Sequence, residues 1–229
     1  MSLGCAVHVA CGDAAALLAQ AAPPKQWLSA TETERLAALR SARRRASFLA
    51  ARWQARWLLA HAFGGDPADW PLDAPHDAAP RVLQRPDLVL SISHSGNIVA
   101  SAVAPRPVGL DLEQPRPGRD IPGLVALCCT RSERALFGVL PPDEREAWFH
   151  ELWTVKEAWL KRRGEWLAPS RLQQIEAAAA ATGEIRTWRG AGFHVALCVD
   201  EAQQLCWWTP EPARSRRWSV VADRAPTPA

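Results

Sequence analysis

Two acids at alternate positions are the first residues here that could do chemistry. In Val108-Gly109-Leu110-Asp111-Leu112-Glu113, apolar Val108, Leu110 and Leu112 alternate with Gly109, Asp111 and Glu113, and a period of two marks a half-buried strand. Both acids leave the same face. Their Cα atoms would lie roughly 7 Å apart on an extended chain, which suits two oxygen ligands of one hard cation. The plain alternative is a strand with a solvated acidic face. A second group lies on the stretch Phe149 to Lys161, where Trp153, Glu157 and Lys161 recur every fourth residue and so project one above another from a helix. As a surface ion pair, Glu157 and Lys161 would contribute about 0.3 to 0.5 kcal/mol. That pairing leaves unexplained why two of only three lysines, Lys156 and Lys161, fall in this one helix.

Two further sets are open to two readings. Ser93-His94-Ser95 precedes Gly96 at the end of an apolar run; it is either an ordinary surface turn or a phosphate contact made by two hydroxyls and an imidazole. Arg45, Arg52 and Arg56 fall along one side of a helix, as a solvated basic face or as an anion-binding ridge.

The elements that must position these residues can be read from pattern and punctuation. A strand is expected at residues 5–10, and Thr31 with Glu34 reads as a capping box. A helix follows from Arg43 to Phe63, closed by Gly64-Gly65-Asp66-Pro67, and residues 73–86 read as a Pro- and Asp-rich loop. Residues 88–93 and 98–104 read as a hairpin around Ser95-Gly96-Asn97. Pro105 and Pro107 then divide an N-terminal half, 1–106, from a C-terminal half, 107–223. One helix is expected over 124–140, and another from an Asp143 cap to about Arg163. Beyond Glu165 the Ala-rich stretch 176–181 and the strand-like runs at 185–188, 193–199, 205–208 and 218–222 read as scaffold. The Pro- and Ala-rich tail, 224–229, reads as disordered. No internal repeat is visible in the sequence.

Composition narrows the class. A chain of 229 residues, 48% hydrophobic and 22% charged, has the make-up of a globular protein. A net charge of +3 gives no global reason to bind nucleic acid. No segment approaches the roughly 20 apolar residues needed to span a bilayer, and residues 1–10 lack a charged leader region, so a cytoplasmic protein without membrane association is expected. The six cysteines match no zinc spacing and read as reduced thiols. With twelve tryptophans and no tyrosine, the large aromatic contacts fall mainly to indoles, most of them in packing.

Ser91-Ile92-Ser93-His94-Ser95, then Val108 to Glu113, then Trp153-Thr154-Val155-Lys156-Glu157-Ala158-Trp159-Leu160-Lys161 occur in that order, and the combination resembles the 4'-phosphopantetheinyl transferases of the Sfp type. The resemblance spans roughly residues 45 to 167. It implies an α+β fold, a pseudo-twofold monomer of two similar α/β halves with the active site between them. It also implies transfer of 4'-phosphopantetheine from coenzyme A to a serine of an acyl or peptidyl carrier protein. Asp111, Glu113 and Glu157 would hold Mg²⁺, and Glu157 would also take the serine proton. Lys161 would contact the phosphates, while Ser93 and His94, with Arg52, Arg56 and more loosely Arg45, would hold the nucleotide end of coenzyme A. Two positions depart from the pattern. Ala78-Ala79-Pro80-Arg81 stands where many relatives have G-K-P, and Trp166 stands where a second glycine is common. The chemistry itself agrees, because attack at a pyrophosphate phosphorus builds negative charge that a divalent cation and a lysine offset. The rival readings are another Mg²⁺-dependent phosphodiester-cleaving enzyme, such as a nuclease, and an inactive binding module for coenzyme A or a carrier protein.

Overall fold

A computed structural model describes residues 6–74, 79–213 and 215–222, and in it one unit occurs twice. The first copy runs β1 (Ala6–Asp13), α1 (Ala14–Gln20), α2 (Ala30–Ala38) and the long α3 (Ala42–Phe63), then β2 (Leu72–Asp73), β3 (Arg81–Val82), β4 (Val89–Ser95) and β5 (Ile98–Ala104). The second runs β6 (Gly109–Glu113), α4 (Ile121–Cys128), α5 (Arg131–Val139) and the long α6 (Pro142–Arg163), then α7 (Pro169–Leu172), β7 (Ile175–Ala180), β8 (Ile185–Gly190) and β9 (Phe193–Cys198). In each copy the opening strand pairs antiparallel with the closing one, β1 with β5 and β6 with β9. The fold is α+β, with two similar halves in a pseudo-twofold arrangement. Two late strands complete the sheets. β10 (Gln204–Trp207) pairs in parallel with β1, giving the order β10-β1-β5-β4-β3-β2; β11 (Ser215–Ala222) inserts between β8 and β7, giving β6-β9-β8-β11-β7. Residues 105–107 lie between the repeats, but the chain beyond them returns to the first sheet.

Alternation along the strands sets the layers. Val7, Val9, Ala100 and Ala102 of the first sheet meet Leu110, Leu112, Val195 and Leu197 of the second in one core. The opposite face of the first sheet, through Leu90 and Val103, packs on Leu58 and Leu59 of α3. The opposite face of the second, through Ile185, Ala196 and Cys198, packs on Leu152, Val155 and Trp159 of α6. Each buried Leu, Ile or Val stabilises by roughly 1.5 to 3 kcal/mol. The two sheets are thus sandwiched between two 22-residue helices.

The repeat extends to its polar anchors. In the first copy the capping box is Ser29 with Glu32, not Thr31 with Glu34. Thr31 instead donates to Asp73 Oδ1 at 3.0 Å. Glu32 is fully buried and pairs with Arg56, whose Nη2 lies 2.5 Å from Glu32 Oε2 and also donates to the Trp27 carbonyl. The second copy has Thr130 with Glu133 as its capping box. Glu133 pairs with buried Lys156 at 2.6 Å, and Lys156 also donates to the carbonyls of Cys128 and Leu172. This second box interrupts the single helix expected over 124–140, so α4 and α5 are separate. Arg56 and Lys156 occupy matching places in α3 and α6, and each ties its long helix to the short one before it.

Other boundaries also differ from pattern. Pro141, with no side-chain cap, precedes α6, and Asp143 sits in its first turn, where its charge complements the helix dipole. The five described cysteines are free, and most tryptophans pack in the interior, although Trp166 is 68% exposed. Cys5, Ala78 and the tail 224–229 lie outside the described residues.

Removing one member of a buried ion pair leaves the other charged and unmatched, at a cost of about 3 to 5 kcal/mol. Arg56→Met and Lys156→Met should each lower stability by that order in urea unfolding, and Glu32→Gln combined with Arg56→Met should recover part of the loss. Unchanged unfolding midpoints in both single variants would show that these pairs are not structural anchors.

Candidate active site

β6 is the edge strand of the second sheet, so its outward N–H groups need partners. Strand β4 of the first sheet supplies them from side chains. Ser91 Oγ accepts from Leu110 N at 2.9 Å, and Ser93 Oγ accepts from Leu112 N at 3.2 Å. The same face of β4 reaches the acids: Ser93 donates to Asp111 Oδ1 and Ser95 to Glu113 Oε2, both at 2.8 Å. A solvated acidic face is therefore not what forms, since Asp111 is only 2% exposed. Its other cover is α6. Gly109 permits that closeness, because a Cβ there would lie 1.9 Å from the Ala158 carbonyl oxygen.

Helix α6 brings Lys161 and Glu157 to the same place. Lys161 Nζ lies 2.6 Å from Asp111 Oδ1, 3.3 Å from Ser93 Oγ and 3.8 Å from Glu157 Oε2. The second carboxylate oxygen of Asp111, Oδ2, is buried and accepts no hydrogen bond from the described residues, except from Glu157 when that carboxyl is protonated. Burial first, and then the Asp111 carboxylate, push the Glu157 pKa up to about 8 against the pull of Lys161. Burial also raises the Glu113 pKa, Ser95 opposing and Asp111 adding to the shift. For Lys161, burial works downward but Asp111 and Glu157 more than offset it, and its pKa is raised.

Among the described residues no three His, Cys, Asp or Glu side chains form a ready metal cage. Asp111 Oδ1 is taken by Ser93 and Lys161, and Glu113 Oε2 by Ser95. The donor set nevertheless fits a hard divalent cation: a buried Asp111 oxygen that only a protonated Glu157 can bond and a Glu157 carboxyl driven toward its neutral form both mark excess negative charge, which such a cation would offset.

The basic residues divide. Arg56 is 0% exposed, and both its terminal nitrogens are bonded to Glu32 and to the Arg52 and Trp27 carbonyls, although Nε has no partner; the expectation that it grips a ligand gives way to a role in packing. A helical period places Arg56 on the same side as Arg52 but does not show which part of that side the N-terminal segment covers. Arg52 is 7% exposed, with Nη1 buried and unpartnered; burial lowers its pKa to about 10 against Glu32. Arg45 is exposed. Arg81, exposed at the first sheet's far side, pairs with Asp73 at 2.5 Å. Ser93 turns toward Asp111, whereas His94, on the alternate face of β4, keeps an exposed edge and has a pKa lowered by partial burial and then by Lys161. Sequence reasoning overlooked Ser91 and Ser95 as partners of β6, although their alternation with Ser93 was the available signal. It also overlooked Arg119, whose Nη1 is 3.9 Å from Glu113 Oε2.

The segment holding both β6 and α6 is matched by a family model. Residues 107–219 match the 4'-phosphopantetheinyl transferase superfamily. The chain is 30% identical over 113 residues to a 4'-phosphopantetheinyl transferase of Bacillus subtilis, covering 49% of this chain and 50% of that protein. It is 36% identical over 96 residues to the 4'-phosphopantetheinyl transferase HetI of a Nostoc strain, covering 42% and 40%. It is also 30% identical over 148 residues to the 4'-phosphopantetheinyl transferase psf-1 of Bacillus pumilus, covering 62% and 61%. The matched stretch thus spans about half the length of the first two relatives. Asp111, Glu113, Glu157 and Lys161 all fall inside the superfamily segment, and the serines that bond the first two lie outside it.

Because Asp111 raises the Glu157 pKa, Asp111→Asn should move the Glu157 midpoint downward from about 8, yet leave it above the ordinary carboxyl value because burial remains. A carbon-13 NMR titration of side-chain carboxyls without added metal reads this directly. A midpoint unmoved by the substitution would show that the two acids are not electrostatically coupled.

Proposed function

We propose that this chain moves the 4'-phosphopantetheine group of coenzyme A onto a serine hydroxyl of an acyl or peptidyl carrier protein, releasing 3',5'-ADP, in a Mg²⁺-dependent reaction. The observation that carries the reading is the meeting of Asp111 on β6 with Glu157 and Lys161 on α6, inside the superfamily segment, with Glu113 two residues along the same strand. The names of the relatives agree. The same reading makes the chain a cytoplasmic monomer, each copy carrying both repeats. No helix among the described residues is long and apolar enough to cross a membrane.

Asp111, Glu113 and Glu157 would hold Mg²⁺, which when bound would neutralise pyrophosphate charge. Glu157 accepts the serine proton as the oxygen–phosphorus bond forms and the bond to 3',5'-ADP breaks. Lys161 places fixed positive charge beside the oxygens of the transferring phosphate. Farther along, the exposed edge of His94 and the exposed Arg45 grip the nucleotide phosphates, and Arg52, buried 3.9 Å from Glu32, adds its charge from behind them. In this scheme the second repeat does the chemistry and the first holds the nucleotide.

Mass spectrometry of apo carrier proteins incubated with the chain, coenzyme A and Mg²⁺ should show the phosphopantetheine adduct. No adduct across a panel of carriers, together with cleavage of nucleic acid, would turn the reading toward a nuclease. Asp111→Ala and Glu113→Ala should nearly abolish transfer while the fold persists. Glu157→Gln should lower kcat by at least about 10², and Lys161→Ala should lower it while sparing cation binding. Arg52→Ala and His94→Ala should act mainly on KM for coenzyme A; an unchanged KM would return either residue to surface charge.

The Glu157 carboxyl must lose its proton to bind a cation. Cation affinity should therefore rise from pH 6 to pH 8, through the region below its pKa of about 8. Glu157→Gln should flatten that rise in Mn²⁺ titrations, and a flat profile in the unaltered chain would count against Glu157 as a ligand.

A further inference from the structure

We propose that Ser95 is a positioning residue for the cation site, its hydroxyl fixing the Glu113 carboxylate so that the first repeat sets the placement of an acid supplied by the second. The inference rests on the cation reading above and adds to it a residue outside the segment shared with the superfamily.

Strand β4 divides its side chains between two neighbours. Ile92 packs toward α3, and His94 shares its face; Ser91, Ser93 and Ser95 face β6. The three serines have different partners. Ser91 meets only the Leu110 backbone, at 2.9 Å from N and 3.5 Å from O. Ser93 is shared among Leu112 N, Asp111 Oδ1 and Lys161. Ser95, itself buried, donates to Glu113 Oε2 at 2.8 Å.

The hairpin end makes a second tether. Gln114, the residue after Glu113, accepts from Asn97 N at 3.2 Å through Oε1. Gly96 between the two tethers has φ +61°, and a Cβ there would fall 1.7 Å from Gln114 Oε1. The turn is thus closed directly onto the chain that carries Glu113. Arg119 approaches the same carboxylate oxygen as Ser95, at 3.9 Å; among the described residues no hydrogen bond or ion pair engages Oε1. A glutamate side chain has three torsions to restrict when it binds a cation. One already held by a short hydrogen bond has less freedom to lose.

Mn²⁺ titration followed by electron paramagnetic resonance reads free metal without requiring turnover. Ser95→Ala should weaken Mn²⁺ binding roughly 10-fold, as expected for loss of an outer hydrogen bond to a ligand, and Ser95→Thr should restore it. Ser91→Ala removes a hydroxyl of the same row that touches no carboxylate; it should lower the thermal midpoint and leave Mn²⁺ affinity unchanged. If Ser95→Ala does not fold, Ser95→Cys keeps the volume without the strong donor and takes its place. Unchanged Mn²⁺ affinity in the Ser95 variant, with binding lost in Asp111→Asn, overturns the positioning role and leaves the cation reading standing. Unchanged affinity in Asp111→Asn as well removes the cation reading, and the role of Ser95 with it.

Discussion

The structure depends on how an unpaired strand edge is satisfied. β6 has β9 on one side only, and its other side would strand backbone donors at the contact between two sheets. A further strand would have solved this by merging the sheets. Here the serines of β4 do it with hydroxyls, so the sheets stay separate layers and β6 keeps side-chain room at its edge. That room is where Asp111 and Glu113 stand. One device therefore joins the repeats and supports the acids, and a hydroxyl suits both tasks because it can accept from N–H and donate to a carboxylate.

The two repeats share a scaffold and differ in what they display. Both use a capping-box glutamate buried against a basic residue of the long helix, Glu32 with Arg56 and Glu133 with Lys156. Where α6 follows Lys156 with Glu157 and Lys161, α3 follows Arg56 with Trp57 and His61, whose rings stack with centroids 3.8 Å apart. The anchors are interior and constrained by burial. The next positions lie at the edge of the core, where the two repeats carry different side chains, an acid and a lysine in one and a pair of rings in the other. Chemistry could thus be placed on one repeat without disturbing the geometry that both require.

This also explains what the sequence made legible. The period of two at Val108–Glu113 was enough to identify β6, the apolar runs flanking Ser95-Gly96-Asn97 were enough to identify the β4–β5 hairpin, and the four-residue spacing was enough to align Trp153, Glu157 and Lys161. Helix ends depend on single side chains and were read less well. Ser29 and Thr31 are equally good caps by type, and only the burial of Glu32 against Arg56 decides between them. The repeat was not legible because it is conserved in anchor geometry while the anchors themselves change from Arg to Lys. Arg56 was misread for the same reason: helical periodicity gives a residue's side, but the partner that buries it comes from a segment more than twenty residues earlier.

The charge arrangement gives the site its character. Burying a carboxylate with one oxygen unpartnered costs on the order of 1 to 3 kcal/mol, and Asp111 stands in that position when Glu157 is ionised. Lys161 offsets part of the cost through Oδ1, while burial first and then Asp111 push the Glu157 pKa up to about 8 against the pull of Lys161. The nearest neutral alternative, an asparagine at 111, would remove the strain and also the reason for a cation or phosphate-bearing ligand to prefer this place. The surrounding fold can bear the cost because Ser93 and Ser95 fix the acids from a different sheet, independent of α6. Affinity for added positive charge is thus stored as incomplete neutralisation among groups held in place from two sides.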